Sequence, residues 1–291
     1  MKAIIQQYYS LAKPGVLYGN VITGVAGFLL AAGYFKSFNW VLFGATIIGM
    51  TLVIASACVL NNVLDRDIDR LMERTKQRAV ANGAIAVRPA LTLAVILGLL
   101  GFASLIIWTN SLVVEIGIVG YVVYVWLYGA LSKRKSIHGT LVGSISGAMP
   151  ILAGYCAVSG QIDPAAVLLF LMLFFWQFPE FYSIAIYRRK EYAAAGVPVM
   201  PVVKGVEFTK ILIFIFTVLF IIISLFMTLL DYTHLIYFVI MAVLDLNWLK
   251  LALRGLERGI DNDAWARRMF HFSLIILIAL SVLLSVGSIL P

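Results

Sequence analysis

Residues 40–63 read WVLFGATIIGMTLVIASACVLNNV, a run with no charged side chain along its whole length. An α-helix rises about 1.5 Å per residue, so about 20 apolar residues cross the hydrocarbon core of a bilayer. Unpaired backbone groups cannot face hydrocarbon, so a spanning segment forms a helix or joins a closed barrel. The continuous apolar character excludes the alternating pattern of a barrel strand. This stretch therefore predicts a transmembrane helix.

Eight further runs of the same kind lie before and after this one. The nine predicted spans are 15–35, 40–63, 89–108, 112–131, 139–158, 164–187, 211–230, 233–253 and 270–290. We therefore predict an all-α integral membrane protein, a nine-helix transmembrane bundle that forms a single domain over residues 1–291.

The composition agrees with this class of protein. Of the 291 residues, 62% are hydrophobic and 12% are charged, and the mean hydropathy is +1.00. Soluble domains are about 45–50% apolar and about 25% charged. A soluble fold, a disordered chain and a disulfide-rich scaffold are excluded. Cys58 and Cys156 lie in apolar runs, where thiols act as small hydrophobic groups. The N-terminal residues 1–15 are too polar for a signal peptide, so we expect the first span to be retained.

The basic residues are distributed unevenly between the two ends of the predicted bundle. All 22 Lys and Arg residues except Lys36 lie in the N-terminal segment or in the loops after the even-numbered spans. Because cytoplasmic loops carry the excess of Lys and Arg, the N-terminus and these loops are predicted to be cytoplasmic and the C-terminus outside. The net charge of +8 thus indicates topology, and no nucleic-acid partner is expected.

A polar stretch, NNVLDRDIDRLMERTKQR, follows the second span at residues 61–78. Projected as a helix at about 100° per residue, Asn62, Asp65 and Asp69 share one face, and Asp67 lies on the other. Carboxylates on one face repel each other unless a cation lies between them. Oxygen ligands without nearby Cys or His suit a hard cation such as Mg²⁺. We therefore predict that the shared face holds Mg²⁺.

Basic side chains accompany these acids, which suits a diphosphate bound through the metal. An alternative is a solvated helix end, because Asp–Arg pairs at helical spacing also support exposed helices. The position at the end of an apolar helix favours a functional site, since acids are costly there. The predicted diphosphate-binding residues of this stretch are Arg66, Arg70, Lys76 and Arg78.

The run N-x-x-D-x-x-x-D after the second of nine spans resembles the UbiA superfamily of intramembrane prenyltransferases. Longer blocks resemble its haem O synthase branch more narrowly and extend from residue 13 to about 275. These blocks are NNVLDRDIDRLMERTKQRAV (61–80), KPGVLYGNVITGVAGFLLA (13–31), HGTLVGSISGAMPILAGYCAVSG (138–160), WQFPEFYSIAIYRRKEYAAAGVPVMPVVKG (176–205) and WARRMFHFSLI (265–275).

The resemblance implies a reaction, a cofactor and a location. It implies transfer of a farnesyl group from farnesyl diphosphate to a vinyl group of protohaem IX (haem B), through an allylic cation and with Mg²⁺ as cofactor. It also implies an active site at the cytoplasmic face of a bacterial inner membrane. The implied partners are the lipid bilayer, the two substrates, and a downstream haem-modifying enzyme or terminal oxidase assembly.

A second polar stretch lies on the sixth span and just after it. If Pro179 leaves the helix continuous, Trp176, Glu180, Tyr187 and Glu191 lie on one face. Packing or the interfacial aromatic belt is the alternative for the two aromatic residues. We predict a substrate-facing surface, with Trp176 and Glu180 as substrate contacts.

The resemblance adds roles to this second stretch. Glu191 matches the last acid of the superfamily's second motif and is implied to be catalytic and to bind metal. Tyr187 and Arg188 replace the first acid of that motif, Tyr187 as a catalytic residue and Arg188 as a diphosphate contact. Lys204 resembles the family's diphosphate-contacting lysine. The alternative is that Lys204 is only one of the excess basic residues of a cytoplasmic loop. Glu180 stands where relatives carry His, which puts the acceptor side in doubt.

The remaining ionisable residues receive no catalytic role. His138, His234 and His271 are predicted to be surface imidazoles, and the intramembrane acids Glu115 and Asp245 match no motif. Two alternative functions stay open. One is a prenyltransferase of the same superfamily that acts on an aromatic quinone precursor. The other is a transporter, although transporters place their binding residues near the membrane midplane and these residues cluster at one face.

Overall fold

The computed structural model describes residues 2–287, which form helices and no strands. Nine helices in this range are long and apolar enough to cross a membrane, which confirms the predicted all-α bundle of a multi-pass membrane protein. The spanning helices are α2 (Pro14–Tyr34), α3 (Trp40–Leu64), α5 (Val87–Trp108), α6 with its continuation (Ser111–Lys135), α8 (Gly139–Ser159), α9 (Pro164–Tyr187), α12 (Val206–Leu229), α13 (Leu235–Arg254) and α14 (Asn262–Val286). The short helices are α1 (Lys2–Leu11), α4 (Arg66–Leu71), α7 (Lys133–Lys135), α10 (Arg189–Ala194) and α11 (Met200–Val203).

The largest difference from the predicted spans concerns the last one. Helix α14 begins at Asn262, well before the predicted residue 270, because the Asp261 side chain accepts hydrogen bonds from the first backbone N–H groups and caps the helix. Hydropathy locates the hydrocarbon layer, whereas a cap locates the end of the helix. The predicted residues 288–290 lie outside the described part of the chain.

Four helices form the inner part of the bundle. Half or more of the apolar window of α2, α3, α8 and α9 is buried, compared with 28% for α5, α6, α12 and α13. Glycines allow α2 and α8 to approach closely, since a Cβ atom on Gly27 would overlap the carbonyl of Ile151 and one on Gly154 would overlap that of Gly24. Small residues at such contacts are a common means of packing membrane helices.

The fourth span contains a π-helical segment, Val123–Ser132, that the sequence analysis did not predict. Wider π turns often occur at functional sites. Here the segment places the rings of Tyr124 and Tyr128 in a stack with centroids 5.8 Å apart. Both tyrosines line the central cavity described below.

The polar stretch after the second span is helical only as far as Leu71. Helix α3 ends at Leu64 and α4 begins at Arg66, with Asp65 between them at φ −88° and ψ 0°. The Asp69 N–H still donates to the Asp65 carbonyl at 2.8 Å, so these two acids remain one turn apart. Beyond Leu71 the chain runs through turns, and the helical projection no longer describes it.

Candidate active site

A cavity of about 610 Å³ lies between α2, α3, α6, α8 and α9. Sites for small ligands and cofactors are typically clefts of about 300–1,000 Å³. One end of this cavity is charged, and the other end is aliphatic. The charged lining residues are Lys13, Asp69, Arg74, Arg78, Lys133 and Arg188.

Asp65 is fully buried and does not itself line the cavity, but Lys133, which neutralises it, does. The Lys133 ammonium, which reaches Asp65 from 68 residues along the chain, donates a hydrogen bond to Oδ2. The second oxygen, Oδ1, has no hydrogen-bond partner within residues 2–287. An unpaired buried carboxylate oxygen carries a large desolvation cost, so it marks a position where a cation or a donor is expected.

Asp69 forms the second buried pair of this region. The guanidinium of Arg78 donates to both carboxylate oxygens, at 3.0 and 2.8 Å, and Asp69 is 3% exposed. The Thr75 hydroxyl donates to the Asp69 carbonyl at 3.1 Å, and Arg70 donates to the Ala81 carbonyl at 2.6 Å. These bonds hold the loop after α4 so that Arg78 points back to the acid.

The third pair lies on the second polar stretch, where α9 meets α10. Arg188 donates to Glu191 Oε1 at 2.8 Å, and each side chain is 29% exposed. Glu191 Oε2 is buried and finds no partner in the described part of the chain. The Tyr187 ring lies between two guanidinium groups, 5.4 Å from that of Arg188 and 5.2 Å from that of Arg267. Tyr187 and Arg188 both line the cavity.

Lys13 enters the cavity from the segment before α2. It has a left-handed backbone with φ 50°, which is unusual for a residue with a side chain, and Pro14 then begins the helix. Its ammonium donates to Asn61 Oδ1. Burial, together with the nearby charge of Arg78, lowers the pKa of Lys13 to about 8.

Three of the charged lining residues, Lys13, Arg74 and Lys133, and the neighbouring Asn61 were not predicted from the sequence. Lys13 and Asn61 occur in the quoted family blocks, but only Asn62 was placed on the site face. Arg74 lies in the polar stretch that already supplied four predicted cations, and Lys133 was counted only for topology. Nothing in the spacing of the chain pairs Lys133 with Asp65, because the contact depends on the path of the fourth span.

Asn62 does not line the cavity, in contrast to the prediction. Its amide nitrogen donates to the carbonyls of Leu11 at 2.7 Å and Cys58 at 3.0 Å, which attaches α1 to α3. Asn61 lines the cavity instead, and its Nδ2 is buried with no partner within the described ranges. Of the three residues that the projection placed on one face, only Asp69 lines the cavity.

Several predicted substrate contacts also lie away from the cavity lining. Trp176 donates from Nε1 to the Ser273 carbonyl at 2.9 Å and packs α9 against α14, and Glu180 is buried beside the same helix. Lys204 is exposed after α11.

Other exposed cations of the first loop have local partners. Arg66 donates to the Val63 carbonyl, Lys76 pairs with Glu73, and Arg70 holds the loop as described.

The remaining ionisable residues lie as follows. His138, His234 and His271 are exposed, in agreement with the surface positions predicted for them. Glu115 is exposed near the start of α6, and Asp245 is fully buried on α13. Neither acid lines the cavity.

The acids of the two polar stretches suit a hard metal ion by their chemistry. Among residues 2–287, no group of three His, Cys, Asp or Glu side chains is gathered closely enough to hold a metal, because each acid contacts a basic side chain. The donors are nevertheless all oxygens, and Asp65 and Glu191 each keep a buried oxygen unpaired. Such a donor set fits Mg²⁺ shared with phosphate oxygens.

Comparison with known proteins identifies the family. The profile of the UbiA prenyltransferase family matches residues 20–274. The chain is 45% identical to the protoheme IX farnesyltransferase of Pectobacterium carotovorum over 288 residues, which cover 99% of this chain and 97% of the relative. It is 44% identical to the protein of the same name from Yersinia enterocolitica, over 99% of this chain and 96% of the relative.

Solved structures share the fold at low sequence identity. A digeranylgeranylglyceryl phosphate synthase superimposes with a TM-score of 0.81 at 20% identity, over 98% of both chains. A UbiA homologue from Archaeoglobus fulgidus, solved with GPP and Mg²⁺, superimposes with a TM-score of 0.66 at 13% identity, over 96% of this chain and 99% of that one. These similarities confirm the predicted fold type.

Proposed function

Because the chain belongs to the UbiA prenyltransferase family, we propose that it transfers the farnesyl group of farnesyl diphosphate to a vinyl group of protohaem IX, which forms haem O. The observation that carries the proposal is the set of buried acid–base pairs at one end of a largely apolar cavity. The curated relatives at 44–45% identity share one name, protoheme IX farnesyltransferase, and supply the choice of acceptor.

We propose that Asp65, Asp69 and Glu191 hold Mg²⁺ together with the diphosphate. Asn61 replaces Asn62 in this assignment, because Asn61 lines the cavity and keeps an unpaired amide group. Bound Mg²⁺ neutralises the diphosphate oxygens and makes the diphosphate a better leaving group. The GPP and Mg²⁺ in the A. fulgidus homologue are consistent with this assignment.

The basic partners of these acids then bind the donor. In the free protein, Lys133, Arg78 and Arg188 each neutralise a carboxylate. When diphosphate and metal enter, the metal takes over that role and the three cations turn to the diphosphate oxygens. Lys13 and Arg74 add further positive charge at the same end. Fixed cations placed where negative charge develops stabilise the transition state without costly reorganisation.

The aromatic and aliphatic lining protects the allylic cation left behind. The faces of Tyr124, Tyr128 and Tyr187 line the cavity next to the charged end, where cation–π contact lowers the energy of the cation. The bond from C1 to the diphosphate breaks first, and the diphosphate leaves with the electron pair. The terminal vinyl carbon of the acceptor then forms a bond to C1 of the allylic cation, which leaves the positive charge on the inner vinyl carbon. Water then adds to the inner vinyl carbon and loses a proton, which leaves the hydroxyl group of haem O.

We further propose that residues 1–291 act as one catalytic domain in a bacterial inner membrane. The charge distribution supports a cytoplasmic N-terminus, an outer C-terminus and an active site that faces the cytoplasm. The product is a membrane-soluble haem, so a haem-modifying enzyme or a terminal oxidase assembly is the expected recipient.

The test is haem analysis with purified protein in detergent. Protohaem IX, farnesyl diphosphate and Mg²⁺ are incubated with the protein, and haem O is identified by mass spectrometry. Haem O is expected from the native chain and not from Asp69→Asn. Unchanged haem, together with prenylation of an aromatic quinone precursor, would support the alternative acceptor. Uptake of a substrate into vesicles without any prenyl transfer would support a transporter.

A further inference from the structure

Helix α14 brings an arginine to the edge of the cavity where this helix meets α9. The Arg267 guanidinium lies 5.2 Å from the ring centre of Tyr187, and Tyr187 lines the cavity. Phe270, the α14 residue of the lining, lies about 4.5 Å further into the bundle than Arg267 by the helix rise. Arg267 itself is exposed and lies outside the lining. It therefore stands at the rim of the cavity, with aromatic rings on its inner side.

Arg267 forms no ion pair among residues 2–287, unlike the two arginines nearest to it along α9 and α10. Arg188 donates to Glu191. Asp263 precedes Arg267 by four residues, which is the spacing of an ordinary helical ion pair, but its carboxylate is bonded by Arg189. The guanidinium of Arg267 thus keeps its full charge and its donors for an anion.

The surroundings of Arg267 favour a carboxylate and not the diphosphate. The cations assigned to the diphosphate, Lys133, Arg78 and Arg188, each contact an acid that is assigned to the metal. Asp263, the acid one turn from Arg267, is already neutralised by Arg189. A carboxylate needs no metal, because it pairs with a guanidinium directly through two parallel hydrogen bonds.

The acceptor carries such a group in a suitable place. Protohaem IX has its propionates on one edge of a flat, largely apolar macrocycle and its vinyl groups on the opposite edge. A propionate bound at Arg267 leaves the macrocycle beside the rings of Tyr187 and Phe270, whose centroids are 6.3 Å apart. Aromatic side chains of this kind pack well against a flat apolar surface. The vinyl edge then points into the cavity, where the allylic cation forms.

We propose that Arg267 binds a propionate of the acceptor and thereby orients its vinyl edge towards the donor. The inference rests on the proposed function, because it takes the acceptor to be protohaem IX. It makes Arg267 a specificity residue of the acceptor side, with no part in binding the diphosphate. An acceptor whose carboxylates are esterified loses this contact.

The first experiment compares two neighbouring arginines and two acceptors. Arg267→Met removes the proposed contact, and Arg268→Met is the matched control, since Arg268 is also exposed on α14 and points about 100° away around the helix. The KM values are measured for farnesyl diphosphate, for protohaem IX and for its dimethyl ester. Each acceptor is compared between variants in the same detergent, so its partition into micelles cancels.

Arg267→Met is expected to raise the KM for protohaem IX about tenfold and to leave the KM for the dimethyl ester and for farnesyl diphosphate nearly unchanged. Arg268→Met should change none of the three. Arg267→Lys keeps the charge but not the planar fork, so its KM for protohaem IX should rise only about threefold. The melting temperatures in detergent check that all three variants are folded.

A second measurement follows acceptor binding without turnover. Protohaem IX and its dimethyl ester are titrated by absorbance into each variant with no donor present, and Arg267→Met should weaken binding of the free acid alone. An equal change for acid and ester, as packing or a lipid contact would give, would overturn the inference, as would a rise confined to the KM of farnesyl diphosphate. Either result together with haem O formation would refute the inference alone. Selective loss of acid binding without haem O formation would refute only the proposed reaction.

Discussion

The two polar stretches of the chain each lie at the end of a membrane-spanning helix, but the fold uses them differently. In the first, Asp65 and Asp69 are 0% and 3% exposed; Asp65 is paired with Lys133 of the fourth span, and Asp69 with Arg78 at the end of the same stretch. In the second, Arg188 and Glu191 pair with each other within one helical turn and stay partly exposed. The first stretch is thus built into the bundle, whereas the second closes the cavity from its edge.

The two spanning helices that carry these stretches, α3 and α9, differ in the same way. Helix α3 turns Asn61 and Cys58 into the cavity, so its polar face and its cavity face coincide. Helix α9 turns Trp176 towards the Ser273 carbonyl of α14 and does not direct it to the ligand. A polar or aromatic stripe on a membrane helix therefore indicates a contact, but the neighbouring helix decides whether that contact is a substrate or another part of the protein.

Metal removal is expected to have the largest effect, because it acts on both regions at once. Excess EDTA should lower haem O formation below detection, and added Mg²⁺ should restore it, since the three acids bind the donor only through the ion. The measurement is product formation by the same purified sample before and after each addition. Full activity in EDTA would show that neither acidic region acts through a metal ion.

Substitution in the first region is expected to come next. Asp65→Asn should lower kcat by about 10³, because it removes a carboxylate assigned to Mg²⁺ and so weakens the neutralisation of the leaving diphosphate. Asp67→Asn is the matched control: Asp67 lies two positions away, is exposed and pairs with Arg134, which holds its pKa at about 2. Turnover and the melting temperature in detergent are measured together. Near-native turnover of a folded Asp65→Asn protein would show that Asp65 takes no part in the reaction.

Substitution in the second region should cost less. Glu191→Gln is expected to lower kcat about 10–100-fold, because a partly exposed carboxylate is replaced there by water and screened by solvent more readily than Asp65. The comparison is made at saturating Mg²⁺, with Lys204→Met as a control in an exposed residue outside the cavity. If Glu191→Gln is as damaging as Asp65→Asn, the two regions contribute equally and the contrast drawn above fails.

A smaller effect on activity is expected from the ionisation of Lys13, whose ammonium donates to Asn61 of the first region. It should appear in a pH profile. Its pKa is lowered to about 8 from the usual value near 10.5, so the side chain is charged below pH 8 and loses its proton above it. The value of kcat/KM for the donor is expected to fall about tenfold between about pH 7.5 and 9.5. Lys13→Arg keeps the charge throughout and should flatten the profile. An unchanged slope in that variant would assign the fall to another group.

The smallest effects are expected at the two residues of α9 that lie away from the cavity. Glu180→Gln and Trp176→Phe should each change kcat and KM by about threefold or less, because neither side chain lines the cavity or pairs with a charged residue that does, as Asp65 and Glu191 do. Trp176→Phe should instead lower the melting temperature, since it removes the bond to Ser273. A large rise in the KM for protohaem IX in Glu180→Gln would show instead that Glu180 contributes to binding of the acceptor.

The sequence predicted the architecture well, because hydropathy alone reports the solvent around each segment. The first eight predicted spans agree with the helices within about five residues, and the ninth differs because the cap at Asp261 lies outside the apolar run. The π-helical segment was not predicted, since no residue pattern marks it. Within the site, the roles of the acids stay predictions, and the contact between Asp65 and Lys133 was not predicted.

By itself the sequence determined that the chain crosses the membrane nine times, that its charges gather at one end of the bundle, and that Asp65 and Asp69 belong together. These features are encoded locally, in the apolar character of each run and in the spacing of residues along one helix. Only the tertiary structure decided that Lys133 and Arg78 neutralise these acids, that Asn61 and not Asn62 faces the cavity, and where the cavity ends. Those outcomes depend on how neighbouring helices rotate and approach, and periodicity along a single helix carries no information about its neighbours.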